Sequence, residues 1–210
     1  FLVDCGMFQG GRDADTKNYA RFAFAPATLD FVLLTHAHID HSGLLPRLVA
    51  QGFRGPIHVV NRKYPEIEGF QTFNHIRDLP QVPDLVIISV PPPAVQRVVK
   101  AAAVHGCPTA MVLTAGLGLG TGSYTEAIAQ TARETGLRLI GPSLGILVPR
   151  IKLNASFASR LPKAGDLALI SQSGAISTAL AEWANNRNIG FSAIVSMGEN
   201  LDVDFGDLLD

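Results

Sequence analysis

Short apolar runs separated by helix-length amphipathic stretches constrain this 210-residue chain more than any other feature. The runs are FVLLT (31 to 35), PIHVV (56 to 60), DLVIIS (84 to 89), TAMVLT (109 to 114), LRLIG (137 to 141), DLALIS (166 to 171) and FSAIVS (191 to 196). Each has strand length and is almost continuously apolar, as a strand must be when both faces of its sheet are covered. Between them lie the amphipathic stretches 43 to 51, 92 to 104, 123 to 135 and 174 to 186. In PPAVQRVVKAAAVHG the apolar Val95, Val98, Val99, Ala102 and Ala103 recur at helical spacing, with prolines at the start and Gly106 at the end. Strands alternating with such helices predict an α/β fold with a Rossmann-like parallel sheet and right-handed crossovers. The Gly- and Pro-bearing stretch 141 to 166 has little periodicity, and the alternation restarts after it, so a domain boundary is expected near 137 to 142.

Composition narrows the partners. The chain is 47% hydrophobic and 17% charged with a formal net charge of -1, the profile of an ordinary globular protein. Lys and Arg form no basic stripe, so a nucleic-acid partner is not expected. No apolar run approaches the roughly 18 residues that span a bilayer, and the start lacks a signal-peptide layout, which leaves the cytosol as the default location. Cys5 and Cys107 are far apart and form no CxxC, so both are expected to be buried thiols. The chain opens inside an apparent strand, FLVDCG, without an initiator Met, and stops at DVDFGDLLD; it reads as a fragment.

One motif points to metal. In THAHIDH, directly after a strand-like run, His36 and His38 can face one ion while Asp40 and His41 turn towards a second. LVDCGMFQGG and FVLLTHAHIDHSGLLPRL resemble the start of metallo-β-lactamase-fold hydrolases, in particular the β-CASP branch that cleaves RNA. That resemblance covers about residues 1 to 60 and implies zinc at His36, His38, Asp40 and His41. Its later ligands have no counterpart: His58, His75 and His105 lie in unmatched surroundings and read as surface or capping residues. A zinc-dependent hydrolase or ribonuclease with an incomplete metal site is therefore the alternative reading.

A second set of motifs covers more of the chain. GFRGPIHVVNRKYPEIEG, DLPQVPDLVIISVPPPAV, RLIGPSLGILVPRIKLNASFA, GDLALISQSGAISTALAEWA and IGFSAIVSMGENLDVDFGDLLD resemble the CoA-binding part of ADP-forming acyl-CoA synthetases, relatives of the succinyl-CoA synthetase alpha subunit. The resemblance implies a partial, flavodoxin-like second α/β domain after the Rossmann-like one. With it the chain divides into a metallo-hydrolase-derived segment 1–30, a CoA-binding domain 31–138 and a truncated second domain 139–210.

Physically, Ser171, Ser173 and Gly174 lie between a buried strand and a helix start, where free N–H groups and the helix dipole favour an anion; an N-cap turn explains them equally well. The resemblance adds a site for the phosphorylated intermediate there. It further implies that Pro91 and Pro92 of SVPPPAV, with Thr114 and Gly116 at the next strand end, contact coenzyme A. It likewise brings Asn61 and Lys63 of VNRKY to the CoA phosphates, although Arg62 replaces the family's proline. The family's GPN is GPS here, at Ser143, and its phosphorylated catalytic His would lie beyond Asp210. No catalytic residue is assigned. The expected function is a CoA-binding fragment of an acyl-CoA synthetase-like protein, its partners CoA or acyl-CoA and an ATP-grasp domain or subunit.

The two resemblances meet inside GFRGPI. There the metallo-hydrolase strand, loop and helix are expected to replace the first crossover unit of the CoA domain, so that 31 to 60 joins one sheet with 84 to 114. The loop would carry His36, His38, Asp40 and His41 where a pyrophosphate needs glycines, so CoA binding is expected to be weak.

Overall fold

The computed structural model describes residues 2–3, 32–33 and 51–209, apart from 68, 144, 157 and 159. The chain divides into two compact units, Phe1–His41 and Ser42–Asp210. In the first, β1 (Leu2–Val3) pairs in parallel with β2 (Val32–Leu33). The HxHxDH motif and Cys5 lie outside the described residues.

Among the described residues, the first strands of the second unit are β3 (Val59–Val60), β4 (Glu66–Ile67) and β5 (Phe70–Phe73), a small sheet in which β5 lies between the other two. Of the stretch 31 to 60, expected to join the later ladder, residues 31 and 34 to 50 lie outside the described residues. Val32–Leu33 pairs with β1, and Val59–Val60 pairs in parallel with Thr72–Phe73 of β5. β4 pairs antiparallel with β5 in a local hairpin.

Next comes the βαβ alternation that the periodicity predicts. β6 (Leu85–Ile88), α1 (Pro92–Val104), β7 (Thr109–Val112), α2 (Tyr124–Thr135) and β8 (Arg138–Ile140) form a parallel sheet in the order β6-β7-β8. Pro92 at the first helical position starts α1, because its fixed φ suits the helix and its missing N–H is not needed there. Ser123 caps α2 by accepting from the Glu126 N–H at 3.1 Å, and Gly136, with φ +72, ends it.

The stretch 141 to 166, expected to be irregular, instead folds into a hairpin. β9 (Gly145–Val148) and β10 (Leu153–Ser156) pair antiparallel around a tight turn at Pro149–Ile151. Gly145 has φ +117, and a Cβ there would stand 2.1 Å from the Ala155 carbonyl oxygen. Four-residue strands, a proline turn and the buried polar Asn154 and Ser156 hide the two-residue period from a sequence reading. β9 then pairs antiparallel with β12 (Gly190–Ser196), which pairs in parallel with β11 (Lys163–Ser171). The second sheet, β10-β9-β12-β11, is thus mixed rather than parallel. α3 (Gly174–Asn185) links β11 to β12, and α4 (Phe205–Leu209) follows.

Side-chain alternation sorts these strands into layers. Val86, Ile88, Ala110, Val112 and Leu139 face α1 and α2, against Val95, Val99, Ala102, Ile128 and Ala132. Their neighbours Leu85, Ile87, Met111 and Ile140 face the second sheet and meet Ile146, Ala155, Ile170 and Val195. Leu147, Leu169 and Ile194 on its far face pack on Ala181 and Ala184 of α3. The runs of β6, β7 and β8 are continuously apolar because both faces of the first sheet are covered, whereas β11 at the edge of the second sheet leaves Asp166, Leu167 and Ala168 exposed. Cys107 is buried in the first core, and burial pushes its thiol up from the ordinary value.

Candidate functional site

The carboxyl ends of β7, β8, β11 and β12 converge on one cleft of about 260 Å³. Ligands of open α/β sheets bind outside such strand ends, because the loops there differ in direction and leave a crevice. One side is formed by Thr114 and Gly116 after β7 and by Pro142 and Ser143 after β8. The other is formed by Gln172 before α3, by Gly174 at its first position and by Gly198 and Glu199 after β12.

Hydrogen bonds fix each wall. Leu113 N–H donates to the Ile88 carbonyl at 2.9 Å, and Thr114 Oγ1 donates to the Val90 carbonyl at 2.7 Å, so the loop after β7 is tied to the loop after β6. Ser143 N–H donates to the Val112 carbonyl at 3.0 Å. Met197 N–H donates to the Ser171 carbonyl at 2.8 Å, joining the ends of β11 and β12. Before α3, Ser173 N–H donates to Ser171 Oγ at 3.1 Å, and Ser173 Oγ accepts from Ile176 N–H at 3.3 Å. Ser173 is thus the N-cap, and the N–H groups of Gly174 and Ala175 have no acceptor within the helix. The positive end of α3 therefore opens beside the cleft.

Among the residues expected from sequence, Thr114, Gly116 and Gly174 line this cleft. Ser171 and Ser173 shape its α3 loop through the bonds above rather than lining it. Pro91 caps α1 and Pro92 starts it, at the carboxyl end of β6. Asn61 Oδ1 accepts from the N–H groups of Lys63 and Tyr64, at 2.8 and 3.1 Å, and so forms a turn after β3. Lys63 is exposed, its Nζ 5.1 Å from the centre of the Tyr64 ring. His36, His38, Asp40 and His41 lie outside the described residues. Among the described residues no group of three or more His, Cys, Asp or Glu could hold a metal, and no helix is long and apolar enough to cross a membrane. His75 and His105 occupy the cap positions of helical turns, at the start of Ile76–Asp78 and the end of α1.

Sequence reasoning had no role for Gln172, Gly198 and Glu199. The signal for the last two was SMGEN, which ends a parallel strand as SQSG does and so reaches the same crevice. Replacing Ser173 by Ala removes one cap. The expected loss is about 1 kcal/mol of stability, read by urea unfolding; no change would mean that the α3 start is held by other contacts.

Comparison with known proteins agrees with this fold. Residues 16–149 match the family described as CoA binding domain, and residues 164–210 match the succinyl-CoA ligase like flavodoxin domain. Acetate–CoA ligase [ADP-forming] I subunit alpha of Pyrococcus furiosus is 36% identical over 175 residues, which are 80% of this chain and 38% of that protein. The apo form of a dinucleotide forming acetyl-coenzyme A synthetase 1 from Ca. Korarchaeum cryptofilum superposes with a TM-score of 0.75 at 35% identity, covering 80% of this chain and 37% of that one. A ribonuclease of Thermus thermophilus is 56% identical over 57 residues, 27% of this chain and 13% of its own. The chain thus spans less than two fifths of the synthetase relatives it matches.

Proposed function

This chain belongs to the CoA binding domain family, and on that premise we propose that the cleft receives the thiol or thioester end of coenzyme A. The observation that carries this reading is the convergence of Thr114, Gly116, Ser143, Gly174 and Glu199 from both sheets on one crevice at the strand ends.

Size and charge favour one end of the cofactor over the whole. At about 260 Å³ the cleft falls just below the roughly 300–1,000 Å³ usual for sites that enclose a small molecule. Glu199 would repel a pyrophosphate placed against it, whereas the pantetheine arm is uncharged. The phosphates then belong outside the cleft, and Lys63, an exposed cation, is the residue that the family resemblance offers them. Pro91 and Pro92, at the start of α1 after β6, and Asn61, in the turn after β3, are the further contacts this course would use. The open N–H groups in the first turn of α3 suit a transient anion beside the thioester, in keeping with Ser171, Ser173 and Gly174 as a phosphate-facing loop.

In this reading the chain presents CoA or acyl-CoA and supplies no catalytic group of its own. An ATP-grasp domain or subunit would bring the phosphoryl chemistry, as a two-subunit relative suggests. We keep a division into 31–138 and 139–210, with the family matches at 16–149 and 164–210 supporting two successive domains though not those bounds, and the 57-residue ribonuclease likeness supports a chimeric chain. A zinc site at His36, His38, Asp40 and His41 belongs to that N-terminal likeness alone. The cytosol fits a protein with a free buried thiol such as Cys107.

Thermal unfolding in the presence of CoA tests the reading. Stabilisation of about 2.7 kcal/mol is expected once CoA reaches a hundred times its dissociation constant. Pantetheine should reproduce part of the shift and 3′,5′-ADP less. A melting temperature indifferent to millimolar CoA would end the proposal.

A further inference from the structure

The segment after β12 lines the cleft and then runs along a different sheet. Gly198 and Glu199 form cleft wall, and Gly198, at φ +62, is so close to Pro142 that an added Cβ would lie 1.8 Å from its carbonyl oxygen. Beyond this turn Leu201 packs into the core under α1 and α2, while Val203 and Leu208 pack between the sheets. The chain then follows the edge of β8, the outer strand of the first sheet.

A compact set of polar contacts holds it there. Leu139 N–H donates to Asp202 Oδ2 at 2.8 Å, and Val203 N–H donates to the Leu139 carbonyl at 3.2 Å. Arg138 donates through Nε to the same Asp202 oxygen at 3.1 Å and through Nη2 to Asp207 Oδ2 at 2.9 Å. Asp207 is itself tied to Asp204 by reciprocal bonds, the Asp204 N–H donating to Asp207 Oδ2 at 2.9 Å and the Asp207 N–H to Asp204 Oδ1 at 3.0 Å. Its carboxyl is held below the usual carboxylate range by the Asp204 N–H first and by Arg138 second.

We propose that Arg138 is a positioning residue for the cleft: by clasping Asp202 and Asp207 it pins residues 198–200 at a set distance from Pro142 and Ser143. The inference rests on the reading of the cleft as the CoA site. The Arg138 side chain is 47% exposed and that of Asp207 is 35% exposed, and exposed ion pairs of this kind add little to global stability. A side chain that bridges two carboxylates across the junction of the sheets restrains geometry more than it resists unfolding. It reaches the ligand only through the 198–200 turn, since Arg138 does not line the cleft.

Amide hydrogen exchange and CoA titration on the full chain, its Arg138→Gln variant and its Arg138→Lys variant test this. Arg138→Gln is expected to speed exchange at Gly198, Glu199 and Asn200 and to weaken CoA binding about fivefold, the low end of ordinary site-to-site coupling. Exchange in β7 and β12 should stay as it was. Lys, which keeps the charge and can hold one carboxylate, should recover part of both effects. Unchanged exchange at 198–200 overturns the proposal, and so does faster exchange with unaltered CoA affinity. If the unsubstituted chain binds no CoA, the CoA reading of the cleft fails, and exchange at 198–200 still decides whether Arg138 restrains the turn.

Discussion

Replacing Gly198 by Ala should destabilise the protein by about 2–5 kcal/mol, the sum of a left-handed backbone penalty and a main-chain overlap that must be relieved. The φ of +62 alone asks an L-residue to enter a region it rarely adopts. The greater part comes from space. A Cβ would stand 1.8 Å from the Pro142 oxygen and 2.8 Å from its carbonyl carbon, and backbone cannot swing aside as a flexible side chain can. Neither partner is free to retreat, because Met197 N–H holds the Ser171 carbonyl and Ser143 N–H holds that of Val112. The turn must move outward, and the cleft wall moves with it. Gly122→Ala is the control: its φ is +80, yet an added Cβ there meets nothing within 4 Å, so only the backbone penalty of about 1–2 kcal/mol applies. Urea unfolding of both variants measures the difference. Equal losses would mean that Gly198 does not approach Pro142 as described.

The second large effect is expected at Leu139. Its side chain is 0% exposed, in the core that α1 and α2 form with the first sheet, and Leu→Ala there should cost about 2–5 kcal/mol. The upper part of that range applies, because two helices and a three-stranded sheet surround the site and cannot close on the cavity. Its backbone is fixed as well, by Asp202 on the N–H and Val203 on the carbonyl. Leu119→Ala provides the contrast. That residue is 77% exposed on the glycine-rich loop after β7, and its loss should change stability by no more than about 0.5 kcal/mol. A Leu139→Ala variant that loses less than about 1 kcal/mol would show that the helix-side core is not packed as the burial indicates.

How much of this was legible beforehand depends on the kind of information each feature carries. α1, α2 and α3 could be read to within a residue or two, because Pro92, Ser123, Gly136 and Ser173 mark their ends by local chemistry that acts in any context. β6, β7, β8, β11 and β12 were legible as apolar runs. Thr114 and Gly116 were singled out through the family resemblance and Gly174 through the helix start, and their meeting in one cleft is a product of the tertiary structure. Gly198, Glu199 and the role of Arg138 were not, since their meaning lies in what stands opposite, Pro142 for one and two aspartates for another.

By itself, then, the sequence determined the α/β class, the periodic elements and the helix caps, all of which depend on residues within a few positions of one another. Tertiary structure alone decided the partners: that β9 and β10 form a hairpin and make the second sheet mixed, that β3 pairs with β5, and that the segment after β12 closes along β8. The physical reason is that strand pairing is set by burial and hydrogen bonds gained between residues distant in the chain. A four-residue apolar run fits several such partners equally well until the sheets pack and leave room for only one.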